Sequence, residues 1–454
     1  MAPHQPVLEV LDLTYIHPGK SWATIANVNL SLYPGEIVLI AGATGSGKST
    51  LLNCLAGIAP NHVGGKLYGK ILYQGIDISE WSVRQRARYF CILLQNVETQ
   101  IFTERVWEEL VFGLENWNVA PQQIWQITET VLEEFGLQGQ RNWFIRQLSA
   151  GQKQRLLIAC LLAIGQPVML LDEPLAYLDA QGVELLLQLL KSRAQKGQSV
   201  IIIEHRTEVV KKICDRSYYF HHGKLTEAVN NNKIEIFPTV SEFACSSCHH
   251  NPPIVLRAFG LSWGGYPPFP DLQLTAGETI LLKGDNGCGK TTLLKLLCGL
   301  LKSATGKLEI LGADASQKSV VQIAKDVGFV LQNPNHQLFA DSVRAEIQQP
   351  GVKKAVADLL LEQLNLSDRA QDHPQALSQG QKRRLALGAV LARQPKICLL
   401  DEIVVGQDPY SLSLMLNVLS NFIQEQGALI LTSHVPLPAG LFNAKVLVLP
   451  KVQI

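Results

Sequence analysis

Two glycine-rich stretches hold the residues with the most readable chemistry. Gly42-Ala43-Thr44-Gly45-Ser46-Gly47-Lys48-Ser49-Thr50 fits the pattern G-x-x-x-x-G-K-[ST]. Gly284-Asp285-Asn286-Gly287-Cys288-Gly289-Lys290-Thr291-Thr292 fits it again. In such a loop the backbone amides cradle phosphate oxygens at the positive end of the next helix. Lys48 and Lys290 would reach the terminal phosphates, and the hydroxyls of Ser49 and Thr291 would hold Mg²⁺. The motif requires a strand before it and a helix after it. Ile37-Val38-Leu39-Ile40 reads as a buried strand and Leu51 to Leu55 as a helix, so the first loop has its context. Alone, it says that a nucleoside triphosphate binds.

Phosphate transfer to water also needs a metal-side carboxylate and a group that activates or orients water. Val168-Met169-Leu170-Leu171 is a buried strand that ends in Asp172-Glu173, and Asp401-Glu402 repeats the pair. Asp172 and Asp401 suit the Mg²⁺ side, Glu173 and Glu402 the water. Gln95 and Gln332 recur after short strands, and His205 and His434 recur where later strands end. Ser149 and Ser378 are placed to cap the helices that follow them. Ser149 and Ser378, Asp172 and Asp401, and His205 and His434 are each 229 residues apart. The two lysines are 242 apart, so the second copy is shorter by 13 residues between lysine and serine. The chain is a duplicated domain, not a short solenoid repeat.

The elements around these residues alternate strand and helix, which predicts an α/β core with a parallel sheet and ligands at the strands' carboxyl ends. Val7 to Tyr15 and Val28 to Leu32 read as strands, and Ile58 to Gly75 as hairpin-like strands. From Val106 to Phe135 the spacing of Trp107, Leu110, Val111 and Leu114 is helical. A polar stretch with Asn230-Asn231-Asn232 and Pro252-Pro253 reads as a linker. Within it, Cys245, Cys248, His249 and His250 have the spacing of half a zinc site, with no second half elsewhere.

At 454 residues, two or three domains are expected. A hydrophobic share of 47% against 17% charged residues fits a globular protein. The net charge of +1 lacks the positive footprint of general nucleic-acid binding. Nine cysteines at irregular spacing, with no secretory signal at the start, suggest reduced, cytosolic thiols. The most apolar window, Leu156 to Leu171, is broken by Gly165, Gln166 and Pro167. A spanning helix needs about 20 apolar residues, so any action at a membrane would run through partners.

Leu148-Ser149-Ala150-Gly151-Gln152 and Leu377-Ser378-Gln379-Gly380-Gln381 complete a set that resembles the ATP-binding-cassette (ABC) ATPases. The resemblance covers nearly the whole chain. It implies an α/β fold of two tandem phosphate-loop cassettes, residues 1–228 and 253–454, joined by a linker over 229–252. Each would have a mixed sheet core, an antiparallel β subdomain and a helical subdomain. It implies ATP and Mg²⁺ as cofactors and ATP hydrolysis as the reaction. It also implies that Gln95 and Gln332 touch Mg²⁺ and water, and that His205 and His434 touch the γ-phosphate. Tyr15 and Trp263 would stack on adenine, with core packing as the other reading. The cassettes would face head to tail, Lys48 sharing one ATP with Ser378 and Gly380, and Lys290 the other with Ser149 and Gly151. ATP would close this intramolecular pseudo-dimer and hydrolysis would reopen it.

Gln95-Asn96 with Gln100-Ile101-Phe102, and Gln332-Asn333 followed by His336-Gln337-Leu338-Phe339, look like energy-coupling factor (ECF) importers. So do the run Val106 to Asn116 and Gly406-Gln407-Asp408. That resemblance implies an integral membrane scaffold subunit docking near residues 95–112 and 332–346. It also implies a separate substrate-binding membrane subunit for a vitamin, a precursor or a metal ion. The chain would lie on the cytoplasmic face of the cell membrane. A sugar-type importer ATPase and a soluble tandem cassette acting in translation are the other readings. Ile403 stands where Pro174 stands in the first copy, and Gln407 replaces the usual leucine. Both glutamates remain, so two competent sites are expected. Cys288 sits at a helix start, where thiol pKa falls. It is therefore either reactive to thiol reagents, with ATP protecting, or a small space-filling residue.

Overall fold

The computed structural model describes residues 5–228, 252–264, 267–284, 287–403, 407–433 and 441–450. The chain divides into two compact units, Met1–Ile234 and Glu235–Ile454. The expected linker over 229–252 lies outside the described residues except for Pro252, and so do Cys245, Cys248, His249 and His250.

The apolar runs become the central strands. Val168–Asp172 and Ser199–Ile203 are buried along their whole length, as strands covered on both faces must be. They lie in a six-stranded sheet ordered Lys224–Glu227, Arg216–His221, Ile37–Gly42, Ser199–Ile203, Val168–Asp172 and Phe90–Leu93. Only Lys224–Glu227 runs antiparallel to its neighbour. The second unit repeats the order with Val327–Val330, Ile397–Leu400, Ala428–Thr432, Thr279–Lys283 and Lys445–Val448. All its pairings among the described residues are parallel.

A four-stranded antiparallel sheet accompanies each core. In the first unit it runs Ile25–Leu32, Leu8–Ile16, Lys66–Tyr73, Ile76–Asp77, and in the second Leu272–Thr275, Ile254–Ser262, Thr305–Ile310, Ala313–Asp314. The region expected as hairpin strands opens instead with the helical turn Ile58–Asn61, and pairing begins at Lys66. In Leu8–Ile16 the burial alternation is interrupted. Leu8 and Val10 face in, Leu11 and Asp12 are exposed, then Leu13 and Tyr15 face in. Asp12 at φ 48 is the cause: a left-handed residue at the register shift moves the inward set by one. Gly260, at φ 57, stands at the matching shift in Ile254–Ser262.

The helical span becomes two helices, Val106–Asn116 and Pro121–Glu134, packed with Ala150–Ile164. Their apolar faces meet at Val106, Leu110, Val131, Leu132, Leu156 and Leu157. The second unit has Val343–Ile347, Lys354–Gln363 and Gln379–Leu391 instead. Its first two helices are shorter, 5 and 10 residues against 11 and 14, which accounts for most of the length difference between the copies. The apolar window breaks where its sequence does: Ala150–Ile164 ends on Gly165 at φ 78, and a strand starts at Val168. Among the described residues no helix is long and apolar enough to cross a membrane.

Candidate functional site

The phosphate loops sit where a central strand hands over to a helix. Ile37–Gly42 leads into Lys48–Leu55, and Thr279–Lys283 into Lys290–Leu297. Gly42 must be glycine: a Cβ there would lie 2.3 Å from the Phe220 carbonyl oxygen. Gly47 and Gly289, at φ 113 and 96, turn the chain into each helix. Lys48 is buried and donates to the Gly42 and Ala43 carbonyls at 2.8 Å each. Lys290 does the same to Gly284, at 2.8 Å. Asn286 lies outside the described residues.

The hydroxyl after each lysine meets the strand-end aspartate. Ser49 hydrogen-bonds Asp172, and Thr291 Oγ1 donates to Asp401 Oδ2 at 2.7 Å. Asp172 is buried, and its Oδ1 has no hydrogen-bond partner. Burial and then the neighbouring Glu173 push its carboxyl well above the usual range. An orphaned carboxylate oxygen beside a serine hydroxyl is the chemistry that Mg²⁺ satisfies, so these residues fit the metal.

Glu173 and Glu402 are the next residues, and both have left-handed backbones, at φ 51 and 55. A non-glycine residue there carries about 1–3 kcal/mol of strain. The neighbouring strand holds the conformation. The Glu173 amide donates to the Ile203 carbonyl at 2.9 Å, whereas the Glu402 amide donates to the Thr432 hydroxyl at 2.9 Å. In the first unit three expected residues converge. Gln95 Nε2 donates to Glu173 Oε1 at 2.7 Å, and His205 Nε2 lies 3.4 Å from the same oxygen. Gln332 is partly buried, two residues beyond Val327–Val330. His434 is outside the described residues.

Ser149 and Ser378 are N-caps in matching capping boxes. Each hydroxyl accepts from the amide three residues on, at 3.3 Å, and Gln152 and Gln381 accept in return from the serine amides. Gly151 and Gly380 lie buried in the first turns. Gln154 ties the signature helix to the Pro174 carbonyl at 3.0 Å.

The ABC transporter profile matches residues 25–176 and 270–405. A Methanosarcina acetivorans protein named "Putative ABC transporter ATP-binding protein" is 33% identical, over 89% of this chain and 78% of that one. The chain belongs to the ABC transporter family. A Treponema denticola relative of the same name is 29% identical over 94% of this chain and 92% of that one. An archaeal structure described as "Model of ribosome-bound archaeal Pelota and ABCE1" shares the fold. Its TM-score is 0.68 at 20% identity, over 96% of this chain and 76% of that one. The protein is thus an ABC ATPase with tandem cassettes, and ATP is its nucleotide.

Burial favours the packing reading for both Tyr15 and Cys288. Tyr15 is fully buried, and its hydroxyl donates to the Gly64 carbonyl at 2.6 Å. A ring with no free face cannot stack on a base, so Tyr15 is a core residue. Trp263, in contrast, is 37% exposed. Cys288 is buried at 3% exposure, which opposes the reagent access that its position at a helix start suggests.

Sequence reasoning missed the groups that brace the loops after Gln95 and Gln332. Gln100 Oε1 accepts the Leu94 amide and Gln337 Oε1 the Leu331 amide, each at 2.7 Å. Buried Glu109 accepts from the amides of Phe102 and Thr103 and from the Thr103 hydroxyl. Buried Glu346 accepts from the amides of Phe339 and Ala340 at 2.8 Å. The signal was present: glutamate follows phenylalanine by seven residues in both copies. Each brace leaves a large ring outside, with Phe102 73% and Phe339 80% exposed. Phe102 also stacks on Phe112, with centroids 5.5 Å apart.

Proposed function

We propose that this ABC ATPase is the energy-supplying subunit of an ECF-type membrane importer, peripheral on the cytoplasmic face, working with an integral scaffold and a separate substrate-binding subunit. One observation carries the reading. Both cassettes hold an exposed phenylalanine on a loop fixed by a buried glutamate, beside the glutamine of the hydrolysis site. A large apolar ring on a rigid loop loses little entropy on docking and suits an apolar partner helix. Movement of that loop would reach Glu173 through Gln95, 2.7 Å away.

In hydrolysis, Lys48 and Lys290 bind the terminal phosphates, and Glu173 and Glu402 orient the attacking water. Gln95 and His205 steady the Glu173 carboxylate. Ser49, Gln95 and Asp172 would hold Mg²⁺ in one cassette and Thr291, Gln332 and Asp401 in the other, where it neutralises phosphate charge. We assign the base-facing ring of the first cassette to His17. It packs edge-on against Tyr15, with centroids 4.9 Å apart, and is partly exposed.

Fractionation tests the assignment. Recovery with membranes that survives RNase treatment supports the importer, and co-sedimentation with ribosomes overturns it. Phe102→Ala with Phe339→Ala should weaken membrane recovery strongly, each ring contributing about 2 kcal/mol as a docking anchor. Unchanged recovery of the double variant would remove the docking role.

A further inference from the structure

Glu204 precedes His205 at the end of Ser199–Ile203, yet its side chain turns inward and is only 3% exposed. Its Oε1 accepts the amides of His205 at 2.9 Å and Arg206 at 3.2 Å. Its Oε2 accepts the amide of Leu175 at 3.3 Å. Leu175 lies two residues beyond Glu173, and His205 Nε2 lies 3.4 Å from the Glu173 carboxylate. The Arg206 guanidinium adds a second tie, to the Leu175 carbonyl at 3.4 Å. One carboxylate therefore spans the loop that presents His205 and the loop that leaves Glu173.

We propose that Glu204 is a positioning residue for hydrolysis in the first cassette, clamping the His205 loop to the loop after Glu173. Burying a carboxylate next to Glu173 is unfavourable, and burial is the main reason its carboxyl is pushed up. Three amide donors offset that cost. A side chain with a single acceptor oxygen could not serve both loops. The second cassette is built differently. Ser433 takes the place of Glu204, and Thr432 takes that of Ile203. There the Thr432 hydroxyl accepts the Glu402 amide and donates to Asp401 Oδ1 at 2.8 Å. The carboxylate clamp thus belongs to one of the two sites, and its loss should be felt at that site.

The inference rests on the reading that Glu173 and His205 act in hydrolysis, so His205→Ala is measured beside it in the full chain. Glu204→Ala in a Glu402→Gln background should lower kcat about tenfold with the ATP KM within about twofold. In a Glu173→Gln background the same change should leave the remaining turnover within about twofold. Glu204→Gln keeps one acceptor and should fall between, and it carries the comparison if Glu204→Ala folds poorly. Amide exchange needs no turnover: the amides of Leu175, Ala176 and residues 204–207 should exchange about tenfold faster in Glu204→Ala. Equal losses in both backgrounds, or unchanged exchange, would overturn the clamp. Loss of turnover in His205→Ala but not in Glu204→Ala would also overturn it. Full turnover in His205→Ala would instead remove the hydrolytic reading of His205.

Discussion

Arg86→Met should destabilise the first unit by about 3 kcal/mol, because Arg86 closes the far end of the phosphate-loop helix. Its side chain is fully buried. The guanidinium donates to the carbonyls of Cys54 at 2.7 Å and Leu55 at 2.9 Å, which end the helix Lys48–Leu55. It also donates to Ser79 at 2.7 Å and Trp81 at 3.2 Å. A cation at a helix C-terminus meets the negative end of the dipole and the carbonyls left without helical partners. Burial opposes this and lowers its pKa to about 10, which puts the cost of the charge at roughly 3 kcal/mol. Four bonds from a charged donor at about 1.5–3 kcal/mol each outweigh that cost. Methionine fills similar space but strands the carbonyls. The second unit shows the other solution: Ile323 stands at the matching position and packs on Gly299 with no charge at all. Urea unfolding followed by tryptophan fluorescence suits the test, since six of the seven tryptophans precede residue 235. With a slope of about 1–3 kcal/mol per molar, the midpoint should fall by roughly 1–3 M. A shift below about 0.5 kcal/mol would refute the view that these hydrogen bonds outweigh charge burial.

Further outcomes can be checked on the same material. Glu173→Gln and Glu402→Gln, made singly, should each lower ATPase turnover, and full activity in either would show that its site is silent. Burial pushes the thiols of Cys54, Cys91 and Cys398 up to about 12. At pH ~8 they are almost entirely protonated and should resist alkylation until urea unfolds the chain. Burial, then Lys20, lowers the pKa of His17, so the folded state resists its protonation. Stability should therefore be lost as pH falls below about 6.5 through the folded value. His17→Gln should lessen that loss in urea midpoints, and a His17→Gln profile identical to that of the native protein would contradict it. His17→Ala should also weaken nucleotide binding to the first cassette in a fluorescent-ATP titration, about tenfold if a stacking contact is lost.

The sequence by itself determined what depends on local order. A glycine loop between an apolar strand and a helix, two carboxylates after a buried strand and a serine before a signature helix are short-range patterns. Their repetition at a fixed spacing exposed the duplication. Tertiary structure decided what depends on which way a side chain turns. For Tyr15 both a base-stacking and a core reading were open, and it lies in the core because the left-handed Asp12 moves the inward set of Leu8–Ile16 by one residue. No alternation count anticipates a bulge. Arg86, Glu109 and Glu204 look like surface charges in a linear chain, yet all three are buried. Each is paid for by backbone groups close in space: Arg86 by carbonyls over 30 residues back, Glu204 by an amide 29 residues away. A buried charge is stable only where such partners converge, and that convergence is made by the fold. The motifs state the reaction, while the packing of polar groups behind them sets how each site is held.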